Sequence, residues 1–170
     1  MNFAVIVAAG RGKRMDEKLN KIFLPVLDKP MIYYALKTFQ DCREINEIII
    51  ASQKNDFRKI KEIKEKYNFN KIKNIVEGGK ERQDSVYSGL MSIKDAKDDD
   101  IIVVHNGSNP LVRENEITEC INAARQYGAA VCCFPLKDTI KKIKNDFVEK
   151  TIDRQDIYQM QTPQAIKYGL

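Results

Sequence analysis

The chain has 170 residues, of which 43% are apolar and 31% charged, and its 29 basic and 24 acidic side chains leave a net charge of +5. This length predicts one domain, residues 1–170, with room for a core, and the composition excludes intrinsic disorder. No apolar run approaches the roughly 18 residues of a membrane helix, so no membrane partner is expected. The N-terminal apolar run has strand length and no basic lead-in, so it does not read as a signal peptide and a cytoplasmic location is expected. The positive charge admits an anionic ligand, but no basic stretch is interleaved with aromatics as a polynucleotide groove requires, so no nucleic-acid partner is expected. His105 is the one histidine, which excludes a multi-histidine metal site and any Ser-His-Asp apparatus not built on it. Cys42, Cys120, Cys132 and Cys133 include no C-x-x-C pair and read as small buried thiols.

Short apolar, β-branched runs predict buried strands at Phe3 to Ala8, Glu47 to Ser52, Ile72 to Val76, Ile101 to His105 and Ala129 to Phe134. Apolar residues at three- and four-residue spacing predict helices at Pro30 to Gln40, Asn55 to Tyr67, Arg82 to Ile93 and Glu114 to Tyr127. Pro30 suits a first turn and Gly128 a C-cap. Alternating β and α units imply a three-layer α/β/α fold, a mostly parallel sheet with helices on both faces. In such sheets ligands sit outside the carboxyl ends of the strands where the strand order reverses, so function is expected in those loops. Past Phe134 the pattern changes. Thr139 to Lys144 and Phe147 to Ile152, joined at Asn145-Asp146, read as a protruding β-arm, approximately residues 136–154. Gln161 to Gln164 read as a turn before a last helical segment that includes Tyr168-Gly169-Leu170. Lys54 to Lys73 holds eight basic residues against three acidic ones, which at helical spacing reads as a solvated face.

The first strand runs into Ala8-Ala9-Gly10-Arg11-Gly12-Lys13-Arg14-Met15. Glycines let backbone N–H groups approach a polyphosphate, and the cations neutralise its oxygens through charge-assisted hydrogen bonds. The loop lacks the Walker pattern, and Met15 stands where a dinucleotide fingerprint has its third glycine. Lys21 precedes an apolar run that should fix it. Paired with Arg14, it would stabilise charge developing on a transferring nucleotidyl group.

Ala8-Ala9-Gly10-x-Gly12-x-Arg14-Met15 followed by Lys21-x-Phe23-Leu24 resembles the sugar- and polyol-phosphate nucleotidyltransferases. Gly78-Gly79-Lys80-Glu81-Arg82-Gln83-Asp84-Ser85-Val86, Ser88-Gly89-Leu90, Val104-His105 with Pro110, Asp138-Thr139, Asp153-Arg154 and Gln161-Thr162-Pro163-Gln164 narrow the likeness. Together they resemble the 2-C-methyl-D-erythritol 4-phosphate cytidylyltransferases, along nearly the whole chain. The resemblance implies a Rossmann-like nucleotidyltransferase fold and transfer of a cytidylyl group from CTP to a polyol phosphate, with Mg2+ on the triphosphate. It assigns transition-state stabilisation to Arg14 and Lys21. It assigns the nucleotide loop to Ala8, Ala9, Gly10 and Gly12, and cytosine recognition to Gly79, Lys80 and Ser85. Asn106, Thr139, Arg154 and Thr162 match acceptor-binding positions, and Arg154 is also counted with the catalytic cations. The arm implies a homodimer with shared sites.

Two departures from the family pattern stand out. Val104-His105-Asn106-Gly107-Ser108-Asn109-Pro110 replaces a usual Val-His-Asp-Ala-Ala-Arg-Pro. Asn106 therefore lacks the charge that would favour a divalent cation, leaving no certain metal ligand, and Asn109 lacks the bidentate clamp of an Arg. His105 reads as structural at the end of a buried strand. The family also usually continues by about 50 residues, so the chain reads as C-terminally truncated. The alternatives are cytidylyl transfer to another polyol phosphate, such as ribitol 5-phosphate, and a non-catalytic nucleotide-binding homologue.

Overall fold

A computed structural model describes residues 1–10 and 20–170; the expectations placed on Gly12 and Arg14 lie outside these described residues. Six strands form one sheet. β1 (Asn2–Val7), β4 (Glu47–Ser52), β5 (Ile72–Glu77) and β6 (Ile101–Asn106) are parallel, and β10 (Tyr158–Lys167) runs antiparallel between β6 and β7 (Ala129–Pro135). The strand order is β5-β4-β1-β6-β10-β7. Two minor pairs complete the strands, β2 (Pro25–Val26) with β3 (Lys29–Pro30), and β8 (Ile140–Lys144) with β9 (Phe147–Ile152).

Unbroken apolar runs become the central strands because both of their faces are covered. Phe3, Ala4, Val5 and Ile6 in β1 and Ile101, Ile102 and Val103 in β6 are all 2% exposed or less. Alternation along each strand divides the core in two. Ala4, Ile6, Ile48, Ile50, Ile101 and Val103 pack on one side with α1 (Met31–Asp41), α2 (Phe57–Lys66) and α4 (Glu114–Tyr127). Phe3, Val5, Ile49, Ile102 and Val104 face the other side, where α3 (Arg82–Met91) contributes Val86 and Leu90. The α3 helix lies close to the sheet: a Cβ added at Gly89 would stand 2.5 Å from Val5 Cγ1.

The expected helices and strands are present within two or three residues of their expected limits. Pro30 caps α1, and Gly128 ends α4 at φ +92°, its N–H donating to Ala124 O. The arm is the β8–β9 hairpin, turned through Asn145 and Asp146 at positive φ. Two expectations are corrected. The Ala129 to Phe134 strand is not buried, because as β7 it forms one edge of the sheet with a single pairing neighbour: Val131 is 39% and Phe134 52% exposed, and of the cysteines expected to be buried Cys132 is half-buried and Cys133 exposed. Gln161 to Lys167 belongs to β10 and does not lead into a helix, because Gln164 and Ala165 pair on both edges, with Val104 and Val103 of β6 and with Val131 and Ala130 of β7. Pro163, which has no N–H for a ladder, sits in the bulge between Met160 and Gln164.

Candidate active site

The chain runs from β1 outward through β4 to β5, then returns to place β6 on the other edge of β1. Loops leaving β1 and β6 therefore diverge, and a crevice opens between them. The backbone extends each strand by one bond into these loops: Ala8 N donates to Ala51 O at 2.7 Å, Gly78 N to Ser52 O at 2.8 Å and Gly107 N to Val7 O at 2.8 Å. The resulting cavity, of about 210 Å³, is lined by Ala8 to Gly10, by Lys21, by Gly79 to Arg82 with Ser85, and by Asn106.

Two side chains hold the first wall. Gln53 Nε2 donates to Ala9 O at 3.0 Å. Asn20 Nδ2 donates to Ala8 O at 3.1 Å and to Asp56 Oδ2 at 2.9 Å, while its Oδ1 accepts from Ile22 N at 3.4 Å. Asn20 thus caps the short 3-10 turn Lys21–Phe23 and ties Lys21 to the β1 loop. Among the described residues nothing stands within 4 Å of where a Cβ on Gly10 would lie.

The opposite wall depends on smallness. A Cβ at Gly78 would come within 2.5 Å of Ala9 Cβ, and one at Gly79 would overlap Asp84 Cβ. Ser85 is 2% exposed. Its Oγ accepts from Gly79 N at 3.1 Å and donates to Glu81 O at 3.2 Å, so its single proton is used inside the loop. Asp84 Oδ2 accepts from Glu81 N at 3.0 Å and closes a capping box at the start of α3.

Asn106, at the end of β6, accepts at Oδ1 from Arg82 Nε at 3.1 Å, and Arg82 Nη2 donates to Gln164 Oε1 at 3.1 Å. Beneath it His105 is fully buried, its ring 5.2 Å from that of Phe39. His105 Nε2 bonds Asn109 O at 3.0 Å, while Nδ1 has no partner among the described residues. Burial drives its pKa down to about 4, which leaves a neutral ring at neutral pH.

Of the residues singled out from sequence, the cavity brings together Ala8, Ala9, Gly10, Lys21, Gly79, Lys80, Ser85 and Asn106. Thr162 does not line it; its Oγ1 accepts from Asn109 Nδ2 at 3.4 Å. Thr139 and Arg154 do not line it. They are exposed at the base of the β8–β9 hairpin, where Arg154 Nη1 donates to Lys137 O. Sequence reasoning gave no role to Arg82, Gln53 or Asn20. Arg82 lay inside a quoted motif, but its partners are 24 and 82 positions away. Among the described residues no three His, Cys, Asp or Glu side chains group as metal ligands, and Glu81 is the one carboxylate on the cavity wall.

Glycine-walled loops that close on a cationic crevice at a strand-order reversal mark an α/β domain of the nucleotide-binding class. The family model for 2-C-methyl-D-erythritol 4-phosphate cytidylyltransferase matches residues 2–170. The chain belongs to this family. It is 45% identical to the 2-C-methyl-D-erythritol 4-phosphate cytidylyltransferase of Clostridium acetobutylicum and 42% identical to one from Clostridium botulinum. Each match covers 99% of this chain and 73% of the relative. Among solved structures, the 4-diphosphocytidyl-2C-methyl-D-erythritol synthase of Anaerococcus prevotii superposes with a TM-score of 0.81 at 31% identity, over 98% of this chain and 71% of that one. The Francisella tularensis 2-C-methyl-D-erythritol 4-phosphate cytidylyltransferase gives 0.79 at 26% identity, over 99% and 73%.

Proposed function

We propose that the chain transfers the cytidylyl group of CTP to 2-C-methyl-D-erythritol 4-phosphate, giving the CDP-alcohol and pyrophosphate. An oxygen of the acceptor phosphate attacks the α-phosphorus, a new P–O bond forms, and the bond to the β-phosphate oxygen breaks as pyrophosphate leaves. Such a step needs positioning and charge stabilisation more than covalent help from the protein. The observation that carries the reading is the cavity that joins Ala8 to Gly10, Lys21 and the Gly79 to Ser85 loop across the β1–β6 crevice.

In this reading Lys21 and Arg14 stabilise the pentacoordinate α-phosphoryl group. Ala8, Ala9, Gly10 and Gly12 lie along the nucleotide. Gly79, Lys80 and Ser85 form the cytosine wall. Because the Ser85 proton is donated to Glu81 O, the base edge is met chiefly by loop backbone that Ser85 holds in shape. Mg2+ enters as the counter-ion of the triphosphate and thus as part of the substrate, which agrees with the single carboxylate among the described residues of the wall.

Asn106 and Thr162 serve the acceptor from their own protomer, and Thr139 and Arg154 serve the site of a second copy in a homodimer. The exposure of Ile143 (54%), Phe147 (78%) and Val148 (60%) on the hairpin supports burial of this arm against a partner. No described helix is long and apolar enough to cross a membrane, and we place the enzyme in the cytoplasm, where CTP is made. The test is pyrophosphate release from CTP with magnesium, comparing methylerythritol phosphate with ribitol phosphate. Release with the first alone supports the reading, and silence with both refutes it. Sedimentation of the intact chain and of a hairpin-deleted variant tests the dimer: a monomeric intact chain would refute it.

A further inference from the structure

Building on that reading, we infer that Arg82 is a phosphate-binding residue of the cavity, a guanidinium aimed by two neutral amides. Arg82 opens α3 and lies on the cavity wall with Lys21 and Lys80. Its Nε and Nη2 are fixed by Asn106 Oδ1 and Gln164 Oε1, each at 3.1 Å. Gln164 is itself held, its Nε2 donating to Gln161 O at 3.2 Å. The plane of the guanidinium is therefore set by groups from β6 and β10, and its orientation is prepared before any ligand arrives.

Neither partner carries a charge. Among the described residues no carboxylate lies within 4.0 Å of Arg82, and the nearby Asp84 carboxylate is engaged by the Glu81 N–H. An arginine has five donors, and the described residues accept from two positions here, which leaves Nη1 for an anion. Among the described residues three cations and one carboxylate line the cavity, a balance that selects an anion of high charge density, and a planar fork suits phosphate oxygens.

The identity of residue 106 controls this. An aspartate there would form an ion pair with Arg82 and take up its charge. An asparagine fixes the same geometry through Oδ1 and leaves the charge to the substrate. Asn106 is thus a positioning residue for Arg82, and the ligand class is a phosphate group, supplied by CTP or by the acceptor.

The test is steady-state kinetics on the whole chain carrying Arg82→Gln, Asn106→Asp or both, with CTP and methylerythritol phosphate varied in turn. Arg82 is exposed, so its replacement leaves the core intact. Arg82→Gln should raise one KM by roughly 10- to 100-fold, the worth of a charge-assisted hydrogen bond, with a smaller change in kcat. Whichever KM moves identifies the phosphate. Asn106→Asp should raise the same KM about tenfold, and the double variant should be no worse than Arg82→Gln, since the new carboxylate then has no cation to capture. Both KM values within twofold of wild type for Arg82→Gln would overturn the inference. So would an equal effect of Asn106→Asp with and without Arg82. Calorimetric titration with CTP and with methylerythritol phosphate reads the same contact without turnover. A wild type that binds them but does not react refutes the proposed reaction alone, with the affinity of Arg82→Gln still deciding the role of Arg82; a wild type that binds neither refutes both.

Discussion

Asn20→Ala removes a junction through which three loops are joined. The side chain donates to Ala8 O and to the Asp56 carboxylate and accepts from Ile22 N. A neutral hydrogen bond contributes about 1 kcal/mol and one to a charged group about 1.5–3 kcal/mol. The 3.4 Å bond to Ile22 N is long, and the site is half-buried, so water recovers part of the loss. The expected destabilisation is about 2–4 kcal/mol, or about 5–15 °C in Tm for a domain of this size. Asn20→Asp should be no better, because it sets one carboxylate against another and leaves Ala8 O without a donor. Since Asn20 also orients Lys21, kcat should fall at least about tenfold beyond any loss explained by unfolded protein. Urea unfolding gives the first number, and turnover measured where the variant is fully folded gives the second. A variant within about 0.5 kcal/mol and twofold of wild type would show that the junction neither holds the loop nor places Lys21.

Lys21→Ala should lower turnover at least about 100-fold with CTP affinity largely kept, as the loss of a cation acting in the transition state does; equal losses in binding would assign Lys21 to the ground state. Gly89→Ala should cost about 1–3 kcal/mol by pushing α3 off Val5, measured by urea unfolding, and a neutral result would mean that the helix shifts freely. His105 titrates near 4 in the fold against about 6.5 unfolded, so the unfolded chain binds the extra proton between these values. Stability is then complete above about pH 6.5 and falls as pH drops toward 4, by at most about 3 kcal/mol. A ring-proton titration above pH 6 in the folded chain would refute this.

The central strands were legible because burial on two faces leaves an unbroken apolar run, as in Ile101 to Val104, and α4 because its spacing and Gly128 mark both stripe and end. The β10 strand was not legible. Thr162-Pro163 carries a turn signal, and the pairing that overrides it comes from Val104 and Val131, far off in sequence. The glycine loops and Lys21 could be singled out locally, since small residues and cations beside a strand end announce their chemistry. Asn20, Gln53 and Arg82 could not, because amides and arginines are ordinary surface residues until Ala8, Ala9, Asn106 and Gln164 are brought to them. The bonds by which Ser85 shapes its own loop, to Gly79 N and Glu81 O, could not be read from the motif either.

The position of β1 at the centre of the sheet has a consequence for the chain as it leaves the ribosome. One edge of β1 finds β4 early, through Val7 against Ala51, but its other edge waits for Ile101 to Asn106. At about 5–20 residues per second that strand is made about 5–20 s after the first. For that interval the nascent chain holds an apolar strand edge open to any passing strand, and its amino-terminal half is the stretch in which a holding chaperone has most to do.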